Sequence, residues 1–183
     1  MSILKVDTIN EKTTGNGVVI PSGQTLDVSA GTLVPSSGQV LQYKAGTTTS
    51  YTTHTSTSFT ATNLKIDITP KSASSYFVLQ VNFNNWWSTS APAENYLKVT
   101  LYKDGTTNIF DALGYDAGAF IGNFDNRSNY DRMWSLSTTY THGGNTSTSQ
   151  EYKLYGATYL ANGDTRLCGT TGQNIIHAWE IAQ

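Results

Sequence analysis

The stretch Phe77-Val78-Leu79-Gln80-Val81-Asn82-Phe83 decides the fold class. Apolar side chains at 77, 79, 81 and 83 alternate with Val78, Gln80 and Asn82. That period of two sets one face of a β-strand against a core. The same alternation recurs on either side. Upstream, Leu64, Ile66 and Ile68 alternate with Lys65 and Asp67 until Pro70 ends the run. Downstream, Leu97, Val99 and Leu101 alternate with Lys98, Thr100 and Tyr102, and Asp104-Gly105 predicts a tight hairpin turn. Further strands are predicted at Val40-Leu41-Gln42-Tyr43, around Phe59, from Trp134-Ser135-Leu136-Ser137, at Tyr152-Lys153-Leu154, and through Ile175, His177, Trp179 and Ile181. No stretch keeps a helical period. About eight strands separated by Gly, Asn, Ser and Thr clusters predict an all-β antiparallel sandwich, jelly-roll-like in type.

Composition agrees. Charged residues make up 13% of the 183 residues, against roughly 25% in an average soluble domain. Ser and Thr supply about a quarter of the chain, and Thr suits a pleated, half-exposed surface. A net charge of −2 gives no electrostatic reason to expect nucleic acid or an anionic membrane as partner. The first fourteen residues carry Lys5, Asp7, Glu11 and Lys12, so they do not read as a secretory signal, and no apolar run reaches the length of a membrane helix. The expectation is synthesis in a cytosol. Cys168 is the single cysteine, which excludes an intrachain disulfide.

Residues 1–37 differ in texture from residues 38–183. Ile3, Val6 and Ile9, then Val18-Val19-Ile20, Leu26-Asp27-Val28 and Leu33-Val34, are separated by turn clusters such as Thr14-Gly15-Asn16-Gly17 and Pro35-Ser36-Ser37-Gly38. Strands this short cannot build a core within one chain. Three copies about a shared axis can, since each buried position is then filled three times. The expectation is a thin trimerising stalk, 1–37, followed by a β-sandwich head, 38–183; the alternative for 1–37 is a disordered arm, against which the regular return of Val, Ile and Leu argues.

The opening Met1-Ser2-Ile3-Leu4-Lys5-Val6-Asp7-Thr8-Ile9, with Thr14-Gly15-Asn16-Gly17-Val18-Val19-Ile20-Pro21, resembles the N-terminal segment of tail-fibre and related virion proteins of marine and cyanobacterial bacteriophages. Ser37-Gly38-Gln39-Val40-Leu41-Gln42 is similar to the linker that follows it there. Lys65-Ile66-Asp67-Ile68-Thr69-Pro70-Lys71, Leu101-Tyr102-Lys103-Asp104-Gly105-Thr106 and His177-Ala178-Trp179-Glu180-Ile181 extend the likeness downstream. Trp86-Trp87 and residues 111–149 match no motif of that family. The resemblance implies a homotrimeric, elongated virion component ending in a β-sandwich knob. Its partners would be its own copies, other virion proteins through residues 1–37, and a host envelope glycan. Tail fibre, tail-tip knob and an architectural decoration of head or tail share these modules; a free carbohydrate-binding module is a further alternative, one with no use for a stalk.

Enzyme chemistry needs convergent acids, bases or nucleophiles. His54, His142 and His177 are far apart in the sequence and show no metal-binding spacing. His54 in its Thr/Ser-rich stretch and His142 in a Gly loop read as solvated; His177, on the strand face of Trp179, reads as a hydrogen-bonded core or interface histidine. Asp111, Asp116, Asp125 and Asp131 share a loop-rich region, but the chain is too short for the extended groove of a depolymerising tailspike. The run from Asp125 to Asp131 lacks the glycine and closing glutamate of a hand-type calcium loop, and turn formation explains it. No catalytic residue, metal site or cofactor is expected.

Aromatic residues carry the functional expectation. Trp86 and Trp87 cannot both face the core from one regular strand. Trp86, Trp87, Tyr115, Asp125, Asn126 and Tyr130 are the glycan-binding candidates, since flat rings stack on a sugar face while amides and carboxylates take its hydroxyls. The same residues suit packing in a threefold interface, where Tyr and Trp are also enriched. Both assignments stand at this point.

Overall fold

A computed structural model describes residues 36–87, 96–112, 120–123, 132–141, 148–158, 165–169 and 174–183. The stalk expected over 1–37 falls, up to residue 35, outside the described residues. Among the described residues there are eleven β-strands and one four-residue helix. All pairings are antiparallel. No helix in the described residues is long and apolar enough to cross a membrane.

The first sheet holds six strands. β1 (Val40–Thr48) and β2 (Thr52–His54) form one row, because both pair with a second row made of β11 (Asn174–Ile181) and β10 (Thr165–Leu167). That second row pairs in turn with β4 (Tyr76–Trp87), and β4 pairs with β8 (Arg132–Thr141) through an unbroken register from Tyr76↔Thr141 to Asn85↔Arg132. Six strands therefore make four rows. The second sheet holds five. β3 (Thr60–Ile68) pairs with β9 (Gln150–Thr158), which pairs with β5 (Tyr96–Lys103). β6 (Thr107–Asn108) and β7 (Phe120–Asn123) share the outer row against β5, interrupted by α1 (Ile109–Ala112) and residues 113–119.

The alternation read from the sequence is what builds the core. Phe77, Leu79, Val81 and Phe83 point inward from β4, Leu97, Val99 and Leu101 from β5, and Leu64, Ile66 and Ile68 from β3, all in one buried cluster between the sheets. Tyr152 of β9 meets Phe77 edge to face across the gap, ring centroids 5.5 Å apart. Each large side chain buried there contributes about 1.5–3 kcal/mol. The Asp104-Gly105 turn forms as expected: both residues lie at positive φ, 50° and 66°, and the Thr106 N–H donates to the Lys103 carbonyl at 3.1 Å. The helix, absent from the sequence reading, buries Ile109 and Phe110 and is capped by Asn108, whose Oδ1 accepts the N–H groups of Phe110 and Asp111.

One seam between the sheets is closed by β1 and β3. Lys44 Nζ donates to the Asp67 carbonyl at 2.5 Å, and Gln42 Nε2 donates to the Thr69 carbonyl at 2.7 Å.

Strand direction gives the sandwich two distinct ends. The connections 55–59, 88–95, 124–131 and 159–164 all leave from one end, where His54, Trp87, Asn123 and Thr158 close their strands and Thr60, Tyr96, Arg132 and Thr165 open the next. At the other end, Gly38 N–H donates to the Ala182 carbonyl at 2.8 Å and Ala182 N–H to the Gln39 carbonyl at 2.9 Å. The chain preceding Ser36 therefore joins opposite the four connections. β4, with twelve residues, puts about 40 Å between the two ends.

Candidate functional site

The end bearing the four connections holds two of the six sequence candidates in described backbone. Trp86 and Trp87 are the last residues of β4, and the register sets Trp86 beside Arg166 and Trp87 beside Thr165 of β10. Asp125, Asn126 and Tyr130 lie outside the described residues, between Asn123 of β7 and Arg132 of β8 in the sequence. Tyr115 also lies outside the described residues. Of the six candidates, the structure places only Trp86 and Trp87.

Next to the Trp86 position in the register, two further residues form an outward pair. Arg166 faces out from β10, and its guanidinium lies 4.9 Å from the centroid of the Tyr51 ring, half of which is exposed. A ring backed by a guanidinium is held flat at modest entropy cost. Neither residue stood out in the sequence, because the row that brings Tyr51 to Arg166 passes through strands of three residues.

Inward from this surface lies a polar cluster within the core. His54, expected to be solvated, is 1% exposed. The reason is its place in β2: Thr165 of β10 is its register partner, and both face the opposite sheet. Its Nδ1 is 2.6 Å from Thr60 Oγ1, and its ring lies over Gly156, where an added Cβ would stand 3.0 Å from Nε2. Burial pulls the imidazole down from 6.5 to about 4, so it is neutral at physiological pH. Nε2, together with the hydroxyls of Thr52, Thr158 and Thr165, has no hydrogen-bond partner among the described residues. The signal that would have found this cluster is the repeated Thr at strand ends facing inward.

Among the described residues there is no group of three or more His, Cys, Asp or Glu able to hold a metal ion. Cys168 is buried, and burial pushes its thiol up to about 12, well out of the thiolate range at neutral pH. His177 sits on the outward face of the first sheet, where its Nδ1 is 2.7 Å from the Tyr43 hydroxyl and its ring stacks on Trp179 at 5.3 Å. The hydrogen-bonded state expected for it is present; Tyr43 as its partner was not foreseen.

No protein-family model and no curated protein matches the chain. Among solved structures, that of dimeric latent PorU from Porphyromonas gingivalis aligns with 80% of this chain, which spans 14% of that protein, at 11% identity and a TM-score of 0.33. A score of that size carries no inference about fold or function.

Proposed function

We propose that the chain is a non-enzymatic structural protein of a bacteriophage particle, a homotrimeric tail fibre or fibre knob whose head is a jelly roll that contacts a glycan of the host envelope. The sequence likeness of residues 1–42 to phage virion proteins motivates the assignment. Strand order supports the jelly roll: every connection between rows crosses from one sheet to the other except the β5–β6 hairpin. One observation carries the reading furthest. The chain preceding Ser36 joins one end of the sandwich, while Trp86, Trp87, Tyr51, Arg166 and the ends of the 124–131 connection occupy the other. A protein anchored through residues 1–37 in a virion would present that end outward, and connections fixed by a rigid sandwich are where recognition is usually built. Weak sites repeated three times would gain avidity by roughly 10²–10⁴.

Gold-labelled antibody to this chain should mark tail fibres of the virion in electron micrographs, and Trp87→Ala or Tyr130→Ala should abolish adsorption while the trimer mass is unchanged. Label confined to the capsid would replace the fibre reading with a decoration role. A fall to single chains in the variants would assign these aromatics to assembly.

A further inference from the structure

The two outward faces of the sandwich differ sharply in charge. The second sheet displays Lys65, Asp67, Lys98, Glu151 and Lys153, with Lys65 bridging Asp67 at 3.2 Å and Glu151 at 2.8 Å. On the first sheet, the outward positions along 40–48, 174–181, 76–82 and 135–141 include no Asp, Glu, Lys or Arg. Lys44 reaches instead toward the second sheet, and Glu180 is buried. What the face carries is an aromatic group across its first two rows: Tyr43, His177 and Trp179, with ring centroids 5.3–5.9 Å apart. Val78 pairs with Trp179 in the register, and short Ser and Thr side chains line β8.

We infer that the part of this face formed by β1, β11, β4 and residues 135–141, away from Arg166 on β10, is where one copy of the chain packs against another. The inference rests on the proposed assembly for the existence of several copies, and adds which surface joins them. A copy is the partner the chemistry selects. Around a symmetry axis each residue near the centre meets its own duplicate, so any charge there would face a like charge. The outward face of the second sheet carries such charges along its whole length, whereas on this one Arg166 lies on β10, off the stretch around Tyr43, His177 and Trp179. Interface cores are depleted in charged residues and enriched in Tyr and Trp. The large hydrophobic side chains left exposed among the described residues, Val40 at 58%, Tyr43 at 52% and Tyr51 at 51%, all lie along the first row of this same sheet. Four rows of about eight residues cover about 500 Å² in projection, before side-chain relief is added. That is the scale of the roughly 800 Å² of accessible surface each partner buries in a standard interface.

Hydroxyl-radical footprinting of the full-length chain, alongside light scattering, tests this. From submicromolar to tens of micromolar protein, oxidation of Tyr43 and Trp179 should fall severalfold relative to Tyr155 on the second sheet, as the mass rises to several chains. Thr139→Lys and Ala45→Lys, both at exposed positions of the face, should restore oxidation of Trp179, whereas Lys98→Glu on the other sheet should not. A multi-chain mass with Tyr43 and Trp179 as reactive as Tyr155 would overturn the assigned face and leave assembly through residues 1–37 standing. So would protection of Trp179 that survives both lysine substitutions. A single-chain mass at every concentration, with both residues reactive, would overturn the trimer as well, without touching the adsorption result.

Discussion

Glu180 on β11 and Lys71 in the β3–β4 connection are joined by the Lys71 N–H, which lies 2.8 and 2.9 Å from the two carboxylate oxygens. The Ser72 N–H at 3.0 Å, Gln42 Nε2 at 2.5 Å and the Ser75 hydroxyl converge on the same carboxylate. Burial alone would raise its pKa; the donors outweigh that and hold it below the ordinary value. The group fastens the turn between the sheets to the last strand. Glu180→Gln turns one acceptor oxygen into a donor facing other donors and should cost about 1–3 kcal/mol. A urea midpoint that does not move would refute this role; the expected result is a lower midpoint with an unchanged slope.

Acid should destabilise the head in two stages. His54 has a folded pKa of about 4 against 6.5 when unfolded, so the unfolded chain binds more protons between those values. Stability is then full above pH 6.5 and is lost as pH falls toward 4, by at most about 1.4 kcal/mol per pH unit. Glu180, depressed from 4.5, adds its loss only below that value, as pH drops through its folded pKa. Melting temperature measured against pH should therefore slope between 6.5 and 4.5 in the native chain and flatten there in His54→Gln. An equal slope in both proteins would remove His54 from the account.

Gly46 holds the seam between β1 and β3. A Cβ at that position would stand 1.9 Å from the backbone oxygen of Lys65, an atom that cannot rotate away. Gly46→Ala should cost about 1–3 kcal/mol, as overpacking does, or roughly 2–4 °C of melting temperature per kcal/mol at this chain length. At Gly156 the nearest atom, 2.3 Å away, is instead the end of the Leu167 side chain, which can give. Gly156→Ala should therefore be the milder of the two. Thermal melts showing the reverse order would mean that the seam yields more readily than the core.

Long, regular strands were legible in the sequence. β3, β4 and β5 each alternate over several residues, and the Asp-Gly turn announced the β5–β6 hairpin. About eight strands were expected and eleven occur among the described residues, because three rows are interrupted and their pieces, β2, β6, β7 and β10, have only two to four residues. A run that short cannot show a period. The same limit hid His54, whose neighbours in the chain are polar while its neighbours in space are Thr165 and Gly156. Tyr43 and Trp179 were each visible as strand residues; their contact depends on a pairing across the whole head, which local pattern does not encode. Trp86 and Trp87 stood out in the sequence because two large aromatics in succession contradict the alternation of a strand.

The joining of residues 36–39 to the last strand has a mechanical consequence. With residues 36–39 hydrogen-bonded beside Ala182, a load applied between Ser36 and the four connections runs along the strands rather than across them. The β1–β11 pairing from Thr48↔Asn174 to Val40↔Ile181 is then strained in shear, so its hydrogen bonds share the force at once instead of parting one after another. A head tethered at that end would resist a pull on its far side far better than a peel begun at its C-terminus.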